Sequence, residues 1–438
     1  MKLEMEVISK EIIKPSSPTP HHLRQYQLSF LDQVAPLVYS PLVLFYSSDG
    51  TTEFKRTTIS NHLKKSLSDV LTHYYPFAGR INDKNFIECN DEGIPYFQAK
   101  VKCKLVDVIH KPVPGELKHL VPFELDDITD ILFGVQLNVF ECGGIAIGVC
   151  LSHQIADALS FFTFINSWAA IANGSQDVLP NPQFVSAKLF PPKNTTGFDP
   201  RSGIIKDNII CKMFVFDASV VENLRARYAD TTSFENEKHL TRVEALSAFI
   251  WSRYVAVTRH QSGPQRTHVV VHAVNLRPKM EPPLPPESFG NYSRISMTFP
   301  SLNTEEECHG LVKEVRDQMK KMDKDYVRKL QEGNEHLDLL KDSFDRVLVK
   351  GELVAFNFTS LCRFPLYDAD FGWGKPTWVS VPVLMFKNLV MFVDTKTGGG
   401  IETYVSLKVE DMVKFEADEE LLACVNKKPT YSFFMSKL

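Results

Sequence analysis

The sequence lacks the long apolar runs and the cysteine patterns that mark several protein classes. No stretch reaches the roughly 18 consecutive apolar residues that a membrane-spanning helix requires. The eight cysteines occur singly, without a C-x-x-C pair, which favours reduced thiols and argues against a zinc site. The N-terminus has no apolar segment followed by a cleavage site. We therefore expect a soluble, non-secreted protein that binds no metal and does not enter a membrane.

An excess of basic residues is also missing. The formal net charge is -4 over 438 residues, whereas a nucleic-acid-binding protein usually carries a basic patch. We expect no nucleic-acid partner. An anionic ligand would have to be held by a local cluster of cations.

Several well-known catalytic motifs are absent from the chain. There is no G-x-S-x-G elbow, no P-loop, no G-x-G-x-x-G after a strand, and no HRD that would make the DFG at Asp370 to Gly372 kinase-like. A catalytic histidine without a partnered serine or cysteine nucleophile indicates direct transfer between two substrates. The second substrate would then be the nucleophile.

The stretch GGIAIGVCLSHQIAD is the strongest candidate for a chemical centre. Residues Ile145 to Leu151 form a short, unbroken apolar run typical of a buried strand, and an amphipathic helix is predicted after Asp157. His153 would lie where the strand passes into the helix, a position suited to a general base. Among 13 histidines only His153 has an aspartate four residues on. A core histidine satisfied by a nearby carboxylate is the alternative for this stretch taken alone.

The remaining pattern predicts an α/β protein of two domains. We expect strands at Leu42 to Tyr46 and at residues 133–144, the second forming a hairpin with the strand that precedes His153. Residues 63–74 and the segment after Thr241 have helical spacing of apolar residues. The predicted boundaries are 1–185 for the N-terminal domain, 186–208 for a crossover linker and 209–438 for the C-terminal domain, with DFGWG in the last.

Two other features have less direct interpretations. His268 and His272 have metal-like spacing, but four residues along a strand separate them by about 13 Å, so a structural role is expected. The chain ends in Ser436, Lys437 and Leu438, the tripeptide that peroxisomal import receptors recognise. We expect a peroxisomal location through this tail, with the cytosol as the alternative.

Collectively these residues resemble the plant BAHD acyltransferases. The resemblance includes His153 to Asp157 (HxxxD), Asp370 to Gly374 (DFGWG), YYPFAGR, KPSSPTP, LSFLDQ, NLRPKMEPPLP and FGN, in family order over nearly the whole chain. It implies two chloramphenicol-acetyltransferase-like domains, each a mixed β-sheet flanked by helices, with a solvent channel between them. The N-terminal part of the sequence is similar to that of the branch of alkaloid and alcohol acetyltransferases. This similarity implies an acyl-CoA co-substrate, acetyl-CoA by default, and a monomeric protein.

The resemblance also implies roles for individual residues. His153 would take a proton from the acceptor, and Asp157 would pair with Arg277 to support the histidine loop. Thr241 and Arg242 would contact coenzyme A, or simply begin a helix. Arg363 would face the acceptor, or pair with a neighbouring carboxylate.

The DFGWG loop has a mainly structural interpretation. Gly372 and Gly374 would allow a tight bend and Asp370 would make a structural ion pair. Because an indole N–H only donates, Trp373 could face the developing oxyanion. Two positions depart from the family pattern: Ala158 replaces a common glycine, and Leu361 replaces the usual tryptophan, which would reshape the acceptor side.

The function that we expect is acyl-CoA-dependent O-acylation of a plant specialised metabolite through a ternary complex, without an acyl-enzyme. Three alternatives stay open. The donor could be benzoyl-CoA or another product of β-oxidation, the acceptor could be an amine, or the protein could bind coenzyme A or a metabolite without catalysis.

Overall fold

The structure is a computed structural model that describes residues 2–48, 56–82, 86–175, 181–196, 198, 208–229, 239–258, 266–300, 310–333, 352–382 and 386–425. The β-strands of this described part are, in chain order, β1 Met5–Ile13, β2 Gln25–Gln27, β3 Tyr39–Tyr46, β4 Arg80–Ile81, β5 Phe86–Glu88, β6 Ile94–Val101, β7 Phe133–Phe140, β8 Ile145–Ser152, β9 Ile209–Phe216, β10 Arg266–Asn275, β11 Ser293–Thr298, β12 Glu352–Ser360, β13 Trp378–Ser380, β14 Leu389–Asp394 and β15 Ile401–Lys408.

The α-helices of the same residues are α1 Phe30–Gln33, α2 Arg56–His73, α3 Leu105–His110, α4 Pro114–Leu117, α5 Ala158–Ala172, α6 Ser186–Leu189, α7 Ala218–Ala229, α8 Arg242–Thr258, α9 Leu311–Lys320, α10 Lys324–Glu332, α11 Val409–Phe415 and α12 Glu419–Cys424. Short 3-10 helices lie at His21–Leu23, Tyr75–Ala78, Lys118–Leu120 and Arg277–Lys279. Among the described residues no helix is long and apolar enough to cross a membrane.

The chain divides into two compact units, each built on a six-stranded mixed sheet. Unit 1 comprises Met1–Ser202, Leu284–Tyr292 and Phe364–Met385, and unit 2 comprises Gly203–Pro283, Ser293–Arg363 and Phe386–Leu438. This arrangement agrees with the predicted α/β class of two sheet-containing domains.

The sheet of unit 1 has the strand order β1-β6-β7-β8-β3-β13. Strands β6 and β7 pair in parallel, and β8 pairs antiparallel with both β7 and β3, which confirms the predicted hairpin. Every residue of β8 is buried, as its apolar run predicts. Gly148 has no side chain because the carbonyl oxygen of Leu120 occupies the space that a Cβ would need. Helices α2 and α5 are joined by a hydrogen bond from Trp168 Nε1 to Ser66 Oγ at 3.0 Å.

The sheet of unit 2 has the order β11-β10-β12-β14-β15-β9, with parallel pairing of β10 with β12 and of β12 with β14. Its core is rich in aromatic rings, and Tyr254 and Trp251 of α8 have ring centroids 4.6 Å and 5.5 Å from that of Phe356 on β12. The helix begins directly after Thr241, where the sequence predicts a start.

The observed units differ from the predicted boundaries in two segments of the chain. The segment Phe364–Met385, with the DFGWG loop, belongs to unit 1 and not to the C-terminal domain. The physical reason is strand pairing, because Trp378 to Ser380 of β13 pair antiparallel with Phe45 to Val43 of β3. The segment Leu284–Tyr292 also belongs to unit 1. The predicted domains were continuous segments, whereas unit 1 also includes these two segments from later in the chain.

Candidate active site

His153 lies immediately after the central strand β8, in a five-residue turn that ends at Asp157. The N–H of Ser152 donates to the carbonyl of Leu132 at 2.8 Å, and the N–H of His153 donates to the carbonyl of Val38 at 3.0 Å. The side chain of His153 is half-buried, so its imidazole is only partly removed from solvent. The sequence-based prediction of a histidine between a buried strand and a helix is confirmed.

Asp157 holds the start of the helix that follows. Its Oδ1 accepts the N–H of Ser160 at 3.1 Å, which makes it the N-cap of α5, and its Oδ2 accepts the N–H of Tyr292 at 2.9 Å. The carboxylate does not bond to Nδ1 of His153, which is buried without a hydrogen-bond partner in the described part of the chain. Asp157 therefore supports the frame of the site and does not form a charge relay with the imidazole.

The FGN segment, Phe289 to Asn291, packs against the same helix start. The carbonyl of Gly290 accepts the N–H of Asp157 at 3.3 Å and the hydroxyl of Ser160 at 3.0 Å. Gly290 has a φ of 135°, and a Cβ there would lie 2.9 Å from the Cβ of Ser186. Only glycine combines this backbone conformation with such a close approach.

Asp32 and Asn291 form a buried pair behind His153. Asp32 Oδ1 accepts Nδ2 of Asn291 at 2.8 Å, and the same Nδ2 donates to the carbonyl of His153 at 2.9 Å. Burial raises the pKa of Asp32 to about 6, although hydrogen bonds from Ser29 and Asn291 oppose the shift. Sequence reasoning gave neither residue a role, but both lie in motifs of the family resemblance, LSFLDQ and FGN.

Neither Ser152 nor Cys150, which precede His153 on β8, is an activated nucleophile. Ser152 Oγ and His153 Nδ1 are both buried without a hydrogen-bond partner among the described residues, so they are not bonded to each other. Burial raises the pKa of the Cys150 thiol far above its usual range, and it raises that of Cys89 to about 12. A thiol with a raised pKa is a poor nucleophile, because the thiolate is the reactive form.

The DFGWG loop is stabilised by hydrogen bonds between its backbone and the carboxylate of Asp370. Asp370 Oδ1 accepts the N–H groups of Gly372 and Gly374, both at 2.9 Å, and both glycines have positive φ values of 101° and 96°. The predicted ion pair of Asp370 is replaced by these two bonds in the described residues. The ion pair of this loop joins Lys375 Nζ and Asp368 Oδ1 at 2.8 Å.

Trp373 is far from His153 along the sheet. Its ring lies 6.1 Å from that of Tyr46, whose residue pairs with Ile145 at the start of β8, whereas His153 follows the end of β8. Seven residue steps from Ile145 to Ser152 span about 23 Å at a strand rise of about 3.3 Å per residue. The separation of the two ends of β8 does not favour the predicted oxyanion contact, which stays a prediction. Trp373 packs instead among Tyr46, His62 and Phe371.

Thr241 and Arg242 are occupied by contacts within unit 2. Thr241 and Glu244 form a capping box, with the N–H of Thr241 donating to Glu244 Oε2 at 2.8 Å and the N–H of Glu244 donating to Thr241 Oγ1 at 3.2 Å. Arg242 pairs with Asp394 at 2.9 Å and donates to the carbonyl of Gly399 at 3.2 Å. These contacts fit the helix-start interpretation, and the predicted contact with coenzyme A stays a prediction.

The other two predicted arginines also lie in unit 2. Arg363 is exposed with a φ of 68°, and its backbone N–H donates to Asp394 Oδ2 at 2.6 Å. Arg277 is buried at the start of a 3-10 helix, and its backbone N–H donates to Asn275 Oδ1 at 3.0 Å. The predicted roles of Arg363 towards the acceptor and of Arg277 towards Asp157 stay predictions.

The described residues contain no group of three or more His, Cys, Asp or Glu side chains placed to hold a metal ion. His272 is stacked on Phe358 with ring centroids 5.0 Å apart, and His268 contacts Trp251 edge-to-face at 5.3 Å. These aromatic contacts fit the structural role expected for both histidines.

Comparison with known proteins gives a consistent result over nearly the whole chain. Residues 3–422 match the model of the Transferase family. Stemmadenine O-acetyltransferase of Catharanthus roseus is 37% identical over 95% of this chain and 97% of its own length. Vinorine synthase of Rauvolfia serpentina is 37% identical over 97% of this chain and 99% of its own length.

Solved structures agree with this match. A crystal structure of vinorine synthase has a TM-score of 0.82 at 34% identity, covering 97% of this chain and 99% of the other. TRI101 of F. sporotrichioides, solved with coenzyme A and T-2, has a TM-score of 0.68 at 19% identity, covering 92% of this chain and 99% of the other. The second likeness shows the fold alone.

Proposed function

Because the chain belongs to the Transferase family, the BAHD acyltransferases, we propose that it moves an acyl group from coenzyme A to a hydroxyl of a plant specialised metabolite. Acetyl is the proposed acyl group and an alkaloid or another alcohol the proposed acceptor, since stemmadenine O-acetyltransferase is among the relatives. The observation that carries the proposal is His153, held after the central strand with its backbone N–H and C=O both bonded.

In the proposed reaction His153 acts as the general base. The imidazole takes the proton of the acceptor hydroxyl while the oxygen attacks the thioester carbonyl of the acyl-CoA. The tetrahedral intermediate then expels the thiolate of coenzyme A, which receives the proton from the imidazolium. General base catalysis of this kind contributes typically about 10²–10⁴-fold in rate.

A ternary complex without an acyl-enzyme fits the surroundings of His153. Ser152 is not bonded to the buried nitrogen of the imidazole, and the pKa of Cys150 is raised by burial. Neither residue is activated for a covalent step. In the proposed mechanism the acceptor supplies the nucleophile, as an alcohol or, in the alternative, as an amine.

The proposal is tested by thiol release from acetyl-CoA and benzoyl-CoA with panels of alcohols and amines. We expect release that needs an acceptor and falls about 10²–10⁴-fold in His153→Ala. His73→Ala is the matched control, because His73 is an exposed histidine of the same unit at the end of α2, and its activity should equal that of the wild type.

Other results of the thiol-release assay would overturn or revise separate parts of the proposal. Equal rates in wild type and His153→Ala would overturn the role of His153. A stoichiometric burst of thiol without acceptor would overturn the ternary mechanism. Preference for amines or for benzoyl-CoA would revise the substrates, and binding of coenzyme A without release on the whole panel would favour a non-catalytic binding protein.

The last three residues support a peroxisomal location, which would give access to acyl-CoA esters made by β-oxidation. Ser436, Lys437 and Leu438 lie outside the described residues, so the proposal depends on the sequence alone. A fluorescent protein fused to the N-terminus should enter peroxisomes, and deletion of the tripeptide should leave it in the cytosol. Cytosolic fluorescence with the tripeptide intact would overturn the proposal.

A further inference from the structure

The backbone of His153 is fixed on both sides by different parts of unit 1. Its N–H donates to the carbonyl of Val38, just before β3, at 3.0 Å. Its carbonyl accepts Nδ2 of Asn291, in the FGN segment, at 2.9 Å. The first bond continues the antiparallel pairing of β3 with β8, in which Tyr39 faces Ser152, whereas the second comes from a side chain outside the sheet. The position of the histidine therefore depends on Asn291.

The amide of Asn291 has a defined orientation. Asn291 is 2% exposed, and its Nδ2 donates one hydrogen to Asp32 Oδ1 at 2.8 Å and the other to the carbonyl of His153. Its Oδ1 is buried without a hydrogen-bond partner among the described residues. A flipped amide would set Oδ1 against two acceptor oxygens. The hydrogen-bond network therefore assigns the orientation.

Asp32 holds the amide in that orientation. Its Oδ1 accepts both the backbone N–H of Asn291 at 3.2 Å and Nδ2, whereas its Oδ2 accepts the N–H of Ser29 at 2.8 Å and the hydroxyl of Ser29 at 2.6 Å. These donors are neutral, and the carboxylate has an acceptor site for each of them. An asparagine at residue 32 would present an N–H₂ group to one pair of donors.

We propose that Asp32 and Asn291 are positioning residues that fix the carbonyl of His153 and thereby the place of its imidazole. This inference rests on the proposed function, because it assigns a second layer of residues to the same site. Neither residue touches the reacting atoms. Their effect passes through the backbone of the turn between β8 and α5, so it concerns the rate of proton transfer and not the binding of substrates.

The kinetic expectation is a loss of kcat with little change in KM. Displacement of a catalytic group by about 1 Å can lower the rate about 10²-fold. We expect Asn291→Ala and the isosteric Asp32→Asn each to lower kcat about 10- to 100-fold while KM for donor and acceptor changes less than about 3-fold. The double variant should lose no more than the worse single variant, because both substitutions break one chain of bonds.

Ser29→Ala is the matched control. It removes the hydroxyl from the Oδ2 side of Asp32 and leaves the Oδ1 side, with Asn291, intact. We expect Ser29→Ala to lower the thermal unfolding temperature but to keep kcat within about 3-fold of wild type. Equal losses of kcat in Ser29→Ala and Asn291→Ala would overturn the proposal, since both would then reflect general loss of stability.

A spectroscopic measurement makes the inference independent of turnover. In the full-length protein labelled with ¹⁵N-histidine, the ring signal of His153 is assigned by its loss in His153→Gln. The signal should shift in Asn291→Ala and Asp32→Asn and stay in place in Ser29→Ala. An unshifted signal overturns the inference. If the wild type turns over no acceptor, the proposed function fails, and the ring signal still decides on the positioning role.

Discussion

In both units a buried strand leads into a helix, but the passage between the two elements differs. In unit 1, β8 ends at Ser152 and α5 begins at Ala158, so five residues lie between them. In unit 2, β15 ends at Lys408 and α11 begins at Val409, with no residue between them. Of the two, only the first leaves residues outside both elements, and among these five His153 is half-buried whereas the other four are buried.

The longer passage needs its own hydrogen bonds. At Lys408 the chain passes directly from the ladder of β15 to helical bonding. In the turn of unit 1 the carbonyl of His153 is bonded by Asn291, and the N–H of Asp157 by Gly290. This turn within a packed unit thus depends on hydrogen-bonding groups from a distant segment, because buried backbone groups must be paired.

Two carboxylates, the buried Asp32 of unit 1 and the partly buried Glu244 of unit 2, have different kinds of partner. Asp32 of unit 1 is bonded by neutral donors, and burial raises its pKa to about 6. Glu244 of unit 2 pairs with Arg316 at 2.8 Å, and the pKa of Glu244 is lowered, although burial alone would raise it. The network behind His153 is therefore held by directional hydrogen bonds, and the start of α8 is held by an ion pair.

The largest effect is expected for Asp157→Ala. It removes the N-cap of α5 and leaves the N–H of Tyr292 without its acceptor. A lost cap costs about 1 kcal/mol and a buried unsatisfied donor about 1–3 kcal/mol, so we expect about 3 kcal/mol less stability in urea unfolding. Asp323→Ala, which removes the exposed N-cap of α10, is the control and should cost about 1 kcal/mol. Equal losses would contradict a special role of the turn.

A smaller effect is expected for Glu244→Gln. Removal of the charge deletes the ion pair between Glu244 and the buried Arg316, which should lower the free energy of unfolding by about 2–3 kcal/mol. In the control Glu222→Gln, the exposed partner of Arg225 is changed, and the loss should stay below about 0.5 kcal/mol. If the two variants unfold at the same urea concentration, the ion pair does not hold the start of α8.

The pH dependence of stability should contain opposite contributions from the two units. Burial lowers the pKa of His272 to about 4 from its ordinary 6.5, so between these pH values the unfolded state binds a proton that the folded state does not. Stability is therefore lost as the pH falls through this window, by about 2 kcal/mol between pH 7 and pH 5. In His272→Phe, which keeps the stacking on Phe358, this loss should disappear.

Asp32 has the reverse sign. Its folded pKa of about 6 exceeds its ordinary 3.8, so the folded state binds the additional proton and stability is lost as the pH rises through about 6. Asp32→Asn should therefore steepen the loss of stability on acidification, whereas His272→Phe should flatten it. Urea unfolding at pH 5 and pH 7 checks both, and the same slope in both variants would contradict the opposite signs.

The smallest effect is expected for Trp373→Phe. The phenyl ring keeps the aromatic packing against Tyr46 and Phe371 but has no N–H to donate. Because the ring lies at the far end of β8 from His153, kcat should stay within about 2-fold of wild type. Loss of an oxyanion donor would instead lower kcat about 10²–10³-fold. A loss of that size would restore the catalytic interpretation of Trp373.

Local sequence patterns determined the regular elements around the site. The apolar run before His153 predicts β8 because burial on both faces of a strand leaves an unbroken apolar run. The spacing after Asp157 predicts α5 because a buried helix face leaves apolar residues at helical intervals. The two glycines of DFGWG likewise predict a bend, and both have positive φ values. These features follow from residues close together in the chain.

Only the tertiary structure decided which distant segments form hydrogen bonds with the backbone of His153. The hydrogen bond between Asp32 and Asn291 joins residues that are 259 positions apart. Neither this bond nor the pairing of β13 with β3 leaves a periodic pattern in the nearby sequence. The sequence therefore determined the family, the class of two sheet-containing domains and the position of His153 between a buried strand and a helix. The fold decided that Trp373 lies away from that histidine and Asn291 beside it, because hydrogen-bond partners at long separation are fixed by the packing of the sheet and not by spacing along the chain.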